Sequence, residues 1–423
     1  MDKRKVTLII ILCFLLAMLS GCKEDRGDEN ANERVVLTYA TLYLDTEMET
    51  WIAEWNKANA DFYINVKEYG QGDYETGLVQ LNTDIVSGHI PDIIDFSDID
   101  MAPYISKEII TDLYPFVDSD PQVNREDFVP GILRLYEKDG KLYSIALGYS
   151  LETLMGKKDI VGDPAQWNID KMKQMIEEMP AQSYFIDNLG SIGLLRIVLM
   201  MGMDEYIDWE TGQCFFNEDR FMRLLELANS MEAIPVAEDI EECLANGKLM
   251  LNRVYISGVS EYKEAVDMFR GEEVVCVGYP SAQGGKTLIQ PYLPIGISNM
   301  CENKDVAWKF VRSLISEEFQ NNHIRFNFPV LENSLEKEFE QALHPPVNSW
   351  SMENTEKLPS QEEINGLYEI INLSGGKFVF DTNIWDIIEE EAEFYFGGKK
   401  TVREVVEVIQ NRVQNYIDES YSD

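Results

Sequence analysis

Apolar positions in the first third of the chain switch between two periods. Residues 35–40 (VVLTYA) and 62–66 (FYINV) read as strands, and 90–96 (IPDIIDF) reads as a third. Between the first two, Met48, Trp51, Ile52 and Trp55 recur at helical spacing behind Thr46-x-x-Glu49, a capping-box pattern. Between the second and third, Tyr74, Leu78, Leu81 and Ile85 mark another helix, stopped by Gly88. Strands alternating with helices predict βαβ units and a mainly parallel sheet covered on both faces, an α/β fold. Ligands of such sheets bind beyond the carboxyl ends of the strands, which brings forward residues 41–45 and 96–98.

Further along, residues 140–150 (GKLYSIALGYS) read as a short strand after a turn. A helix-rich stretch is expected over about 170–233, broken by a turn at 208–216 (DWETGQCFF). Residues 274–279 and 295–298 read as strands, the latter leading into a helix with Ala307, Phe310, Val311, Leu314 and Ile315 on one face. Polar residues 333–359, with Pro345-Pro346, read as an irregular connection. Two helices close the chain, one over about 385–396 and one opened by Thr401-x-x-Glu404 and carrying Val402, Val405, Val406, Ile409 and Val413.

The N-terminus changes the picture. Lys3, Arg4 and Lys5 precede the apolar run 6–19, then Ser20, Gly21 and Cys22. As a helix, that run reaches about 21 Å against a ~30 Å hydrocarbon core, so it reads as a signal peptide rather than a membrane span. Leu19-Ser20-Gly21-Cys22 resembles the bacterial lipobox, which implies cleavage after residue 21, diacylation of Cys22 and anchoring to the outer face of the cytoplasmic membrane. Residues 22–33 (CKEDRGDENANE) have nothing to bury and read as a flexible tether.

About 390 residues remain, enough for two lobes. The net charge of −39 repels phosphate backbones and anionic lipid, so neither nucleic acid nor a flat membrane surface is an expected partner. Cys214, Cys243, Cys276 and Cys301 carry no CxxC spacing and read as buried thiols, although an extracytoplasmic location also permits disulfides. His89, His323 and His344 lie far apart, so neither a metal nor a cofactor is expected.

Five segments, in order, carry a resemblance: SGHIPDIIDF, GKLYSIALGYS, GYPSAQGG, PIGISNMCENKDVAWKFVRSLISEEFQ and FGGKKTVREVVEVIQNRVQNYI. Together they resemble the extracellular solute-binding proteins of bacterial ABC importers, in particular the sugar-binding group that includes maltose-binding protein. One departure is Ala146, where the family's first crossing carries a proline. The resemblance implies a two-lobed, type II periplasmic-binding-protein-like α/β fold with a hinge and a ligand cleft. Lobe one would be residues 34–146 with 294–340, and lobe two 147–293 with 341–423 and the C-terminal helices. It also implies a monomer that captures a mono- or oligosaccharide and delivers it to the transmembrane permease subunits.

Family members stack aromatic rings on pyranose faces and grip hydroxyls with carboxylates and amides. Carried over, the ligand residues would be Tyr43, Asp45, Phe96, Ser97, Asp98, Tyr149, Tyr255, Tyr292 and Trp385. Several have other readings. Asp45 and Asp98 also suit helix caps, Trp385 heads an apolar run with Ile388 and Ala392, and each tyrosine suits simple packing. Tyr255 is placed by the resemblance in a loop after Gly247-x-x-Met250. Glu389, Glu390, Glu391 and Glu393 read as a solvated helix face rather than a glycosidase pair. With no G-x-S-x-G, H-E-x-x-H or phosphate-loop pattern, no catalytic residue is expected. The competing readings are a tethered carbohydrate hydrolase and a sensor or adhesin on the same fold.

Overall fold

The computed structural model describes residues 34–186, 189–209, 211–231, 239–345, 358–373 and 381–420. The expected leader 1–21, Cys22 and its tether, and the centre of the expected connection lie outside the described residues. Within them no helix is long and apolar enough to cross a membrane.

The first elements follow the predicted alternation: β1 (Val35–Thr41), α1 (Thr46–Ala58), β2 (Phe62–Glu68), α2 (Tyr74–Val86) and β3 (Ile93–Asp95). β1 pairs in parallel with β2, Leu37 opposite Ile64, and with β3, Tyr39 opposite Ile93. The cap of α1 falls one residue before the predicted box. Asp45 Oδ1 accepts the Met48 amide at 2.8 Å, putting a carboxylate at the positive end of the helix, and Thr46 is already the first helical residue. Gly88, at φ 86, takes the left-handed conformation just past α2 that side chains resist.

The chain then enters β4 (Ile145–Lys157), a strand of 13 residues that outruns the predicted 140–150. Next come α3 (Ile169–Glu178), β5 (Tyr184–Ile186), α4 (Ser191–Gly202) and α5 (Asp219–Asn229). A short hairpin, Ile207–Asp208 against Gln213–Cys214, sits where the turn was expected. β6 (Leu249–Ile256), α6 (Val259–Asp267) and β7 (Val274–Cys276) follow. β6 corrects the expected loop at Tyr255. β7 ends earlier than predicted because Gly278, at φ 69, turns the chain where a Cβ would lie 2.6 Å from the Lys286 carbonyl oxygen.

β8 (Leu288–Ile297) begins well before the predicted 295–298, its first half being hidden by Gln290 and by Pro291 and Pro294, which argue against a central strand. α7 (Lys304–Leu314), β9 (Phe328–Pro329), α8 (Glu332–Leu343), α9 (Gln361–Leu373), α10 (Thr382–Phe396) and α11 (Val402–Ser420) complete the chain. α8 corrects the first part of the reading of 333–359 as irregular, up to Leu343: Leu335 and Phe339, four residues apart, are buried, and one apolar stripe suffices to dock a polar helix. In the capping box of α11, Thr401 Oγ1 accepts the Glu404 amide at 3.3 Å while Glu404 accepts the Thr401 amide at 2.8 Å.

One nine-stranded sheet runs through the molecule in the order β2-β1-β3-β8-β4-β6-β5, with β7 and β9 also paired to β4. β8 is antiparallel to β3, Ile295 opposite Asp95, and to β4 from Ile295 opposite Ile145 to Leu288 opposite Glu152. These two long strands are therefore shared: one end of each belongs to the β1–β3 lobe, the other to the β5–β6 lobe. Lobe one buries Trp51, Trp55 and Phe310 on one sheet face and Leu81, Ile94 and Phe96 on the other. Lobe two packs α3, α4, α5, α10 and α11 into a second core around Trp167, Phe216, Phe221 and Trp385.

None of the four described cysteines is in a disulfide; Cys214, Cys243 and Cys301 are buried and Cys276, expected to be buried, is half-buried. Glu391 departs from the expected solvated face. It is buried, and Lys400 and Arg412, on the next turn and helix, neutralise it.

Candidate functional site

Polar side chains gather where the shared strands leave lobe one. Thr41 and Asp95 are the last residues of β1 and β3, side by side because those strands are paired. Asp95 Oδ1 accepts the Ser97 amide at 2.9 Å and the Ser97 hydroxyl at 2.6 Å, and Thr41 Oγ1 lies 2.9 Å from Oδ2. Burial pushes the Asp95 carboxyl up to about 6, opposed by those hydrogen bonds and reinforced by the negative charge of Asp45. Asp45 itself accepts the Tyr292 hydroxyl at 3.0 Å, a contact from a lobe-one loop to a hinge strand. Burial raises the Tyr292 hydroxyl well above the ordinary tyrosine value, and Asp45 raises it further. Tyr39, fully buried, also lies in the field of Asp95, Asp45 and Tyr292, and its hydroxyl has no hydrogen-bond partner among the described residues.

The polar seam continues into lobe two. Strand register puts Ser150 opposite Gln290 and Glu152 opposite Tyr255, so these side chains share a sheet face with Tyr292, which faces Gly148. Ser150 Oγ donates to the Tyr255 hydroxyl at 2.6 Å. Buried Glu152 accepts from Arg253 Nε at 2.6 Å, Tyr279 at 2.7 Å and Gln290 Nε2 at 2.7 Å. One carboxylate thus joins both shared strands, β6 and the segment after β7.

The expected ligand residues fall into two groups. Asp45, Ser97, Tyr292 and Tyr255 lie along the seam, and Tyr43, 71% exposed, projects from the loop tied to Thr41. Asp98 adjoins them in a left-handed conformation, φ 57; its carbonyl, rather than a cap, engages the Tyr74 hydroxyl. Phe96, Tyr149 and Trp385 are core side chains. Phe96 packs edge-to-face on Tyr104 at 5.2 Å, and Tyr149 lies against Phe328 at 5.5 Å, on the sheet face away from Tyr292. Trp385, 3% exposed, sits with Ile388 and Ala392 in the lobe-two core, with Arg196 over its ring at 5.6 Å. Burial raises the Asp100 carboxyl of lobe one, and the negative charge of Asp381, the α10 cap, adds to the shift.

Thr41, Asp95, Glu152, Arg253, Tyr279 and Gln290 were not singled out from the sequence. One legible signal was Glu152, the one carboxylate in a largely apolar strand, since a charge there must find partners. A second was the alternation of Arg253 and Tyr255 in LMLNRVYI, whose other positions are buried. As chemistry, lobe one offers mainly carboxylate acceptors, and lobe two offers guanidinium, amide and phenol donors. Such walls suit a ligand rich in hydroxyls, which both donate and accept.

No protein-family model matches the chain. An arabinooligosaccharide-binding protein of Bacillus subtilis (strain 168) is 27% identical over 152 residues, 34% of this chain and 33% of the relative. The match therefore spans about a third of that relative's length. The sugar-binding protein MalE of Xanthomonas citri superposes with a TM-score of 0.63 at 15% identity, over 92% of this chain and 98% of its own. The ABC substrate-binding protein Lmo0181 of Listeria monocytogenes, solved with cycloalternan, gives 0.57 at 16% identity over 92% and 99%. An extracellular solute-binding protein family 1 structure from Alicyclobacillus acidocaldarius gives 0.58 at 14% identity over 92% and 100%. These relatives are binding proteins, and the chain has the two-lobed α/β fold of the sugar-binding ABC solute-binding proteins.

Proposed function

We propose that the chain is the extracytoplasmic solute-binding lipoprotein of an ABC importer, taking an oligosaccharide between its lobes and handing it to a membrane permease. The observation that carries this is the polar seam along β4 and β8, continuous from Asp45 and Tyr292 to Ser150, Gln290 and Arg253. A ligand touching both walls stabilises the closed arrangement over the open one, so binding becomes a signal that a permease reads.

In this reading Tyr43, Asp45, Ser97, Asp98, Tyr255 and Tyr292 meet the solute, joined by Arg253 and Gln290. Phe96 and Tyr149 pack behind the walls, and Trp385 supports the first turn of α10, which meets lobe one on closure. Lobe one is residues 34–146 with 294–340; lobe two is 147–293 with the C-terminal helices. The chain acts as a monomer, without cofactor, metal or turnover. Diacylated Cys22 keeps it beside the permease and raises its effective concentration there.

The test is a thermal-shift screen against arabino-, malto-, xylo- and cello-oligosaccharides, with chromatography of each stabilising sugar afterwards. A sugar at about 100 times its Kd adds about 2.7 kcal/mol, enough to raise Tm by several degrees. No stabilising sugar sinks the sugar reading, and an appearing product replaces it with a hydrolase. Mass spectrometry of the membrane-associated chain is expected to find a diacylated Cys22 as its first residue; an unmodified Cys22 there defeats the lipid anchor.

A further inference from the structure

Asp95 occupies an unusual place in lobe one. It is 2% exposed, and among the described residues no cation pairs with it. Its two oxygens face different loops. Oδ1 holds Ser97 through both amide and hydroxyl, fixing the turn that presents Asp98. Oδ2 meets the Thr41 hydroxyl, and that same oxygen of Thr41 accepts the Tyr43 amide at 3.1 Å and lies 2.7 Å from the Tyr43 carbonyl. The loop after β1 and the loop after β3 are thus tied through one buried carboxylate, and among the described residues no backbone hydrogen bond joins the two loops.

We propose that Asp95 is a positioning residue that locks the two lobe-one ligand loops into one wall, so that solute affinity depends on its ionised form. The inference rests on the solute-binding reading above. It requires no contact between Asp95 and solute. Thr41 has one hydroxyl proton for two acceptors: an ionised Asp95 takes it through Oδ2, whereas a protonated one donates to Thr41 Oγ1 and turns that proton to the Tyr43 carbonyl, which rearranges the tie to the first loop. The groups facing Asp95 are Asp45 from the head of α1, Tyr39 from β1, Tyr136 and Tyr292. None is cationic, and burial raises the carboxyl to about 6, so its protonation falls within a mildly acidic range.

Two measurements on the full mature chain test this. Amide hydrogen exchange is compared among wild type, Asp95→Ala and Thr41→Val. Asp95→Ala is expected to speed exchange at Tyr43 and at Ser97 together by about tenfold or more, leaving residues 62–66 of β2 unchanged. Thr41→Val is expected to loosen Tyr43 while Ser97 stays protected, and it serves where Asp95→Ala folds poorly. Unchanged exchange at Tyr43 in both variants overturns the proposal.

Affinity for arabinotriose and maltotriose is then measured between pH 7.5 and 5 for wild type and the isosteric Asp95→Asn. Wild type is expected to weaken as pH falls through about 6, by tenfold or so, and the variant to bind weakly with no such step. A purely structural role would leave the two pH profiles parallel, which also overturns the proposal. If wild type binds neither sugar while the exchange pattern appears as expected, the sugar reading falls and the loop lock stands.

Discussion

Asp95 and Glu152 are both carboxylates sealed into the same sheet, yet the two lobes treat them differently. Glu152 has a cation, Arg253, together with the Tyr279 hydroxyl and the Gln290 amide. Asp95 has only hydroxyls and one amide, with Asp45 close enough to oppose its charge. The difference follows from where each sits. Glu152 lies mid-strand between β8 and β6, so long side chains from both neighbours reach it. Asp95 ends its strand, where the nearest groups are the short side chains of Thr41 and Ser97. A carboxylate held by long donors across strands stiffens the hinge, and one held by short hydroxyls at the strand ends sets loop geometry.

Removing the cation is expected to have the largest effect. Arg253→Met leaves Glu152 buried and uncompensated, with an expected loss of about 2–4 kcal/mol in urea unfolding, held to the lower range by the partial exposure of Arg253. A loss below about 0.5 kcal/mol would mean that Glu152 is solvated in solution.

Removing the charge at Asp95 should act in the opposite sense. Because burial raises its carboxyl from 3.8 to about 6, its contribution to stability is complete below about pH 4 and fades as pH rises through 6. Relative to Asp95→Asn, wild type is therefore expected to lose about 2–3 kcal/mol between pH 4 and pH 7. Parallel pH curves would contradict the assigned burial. Acidification would then stabilise the fold while rearranging the hydrogen bonds that set the Tyr43 loop.

Smaller effects sharpen the picture. Tyr292→Phe removes the donor to Asp45 and is expected to cost about 1 kcal/mol in stability, with a larger effect on sugar binding. Tyr255→Phe loses a hydrogen bond from a side chain 53% exposed, so its expected cost in stability stays under about 0.5 kcal/mol. If Tyr255→Phe matched Tyr292→Phe in unfolding, the Tyr255 end of the seam would be as buried as the hinge.

Much of the fold was legible from periodicity. The order β1-α1-β2-α2-β3 follows from apolar spacing and a glycine stop, and the parallel pairing follows from the alternation itself. Strand lengths were not legible where both faces are buried or polar, as in β4 and the first half of β8, since neither leaves an alternating pattern. α8 hid behind its polar composition, and β6 was assigned to a loop although Arg253 and Tyr255 alternate with buried residues. The seam was partly legible: the strand-end rule brought forward Asp45 and Ser97. Glu152, Gln290 and Arg253 meet only through the pairing of strands far apart in sequence, and no local pattern announces that meeting.

The most direct test of the central claim is hydrogen exchange of the intact mature chain with and without a stabilising oligosaccharide. The account predicts that protection appears on both walls at once, at residues 41–45 and 95–98 in lobe one and at 252–256 and 290–292 in lobe two. Protection confined to one wall, or arising away from the seam, would contradict it.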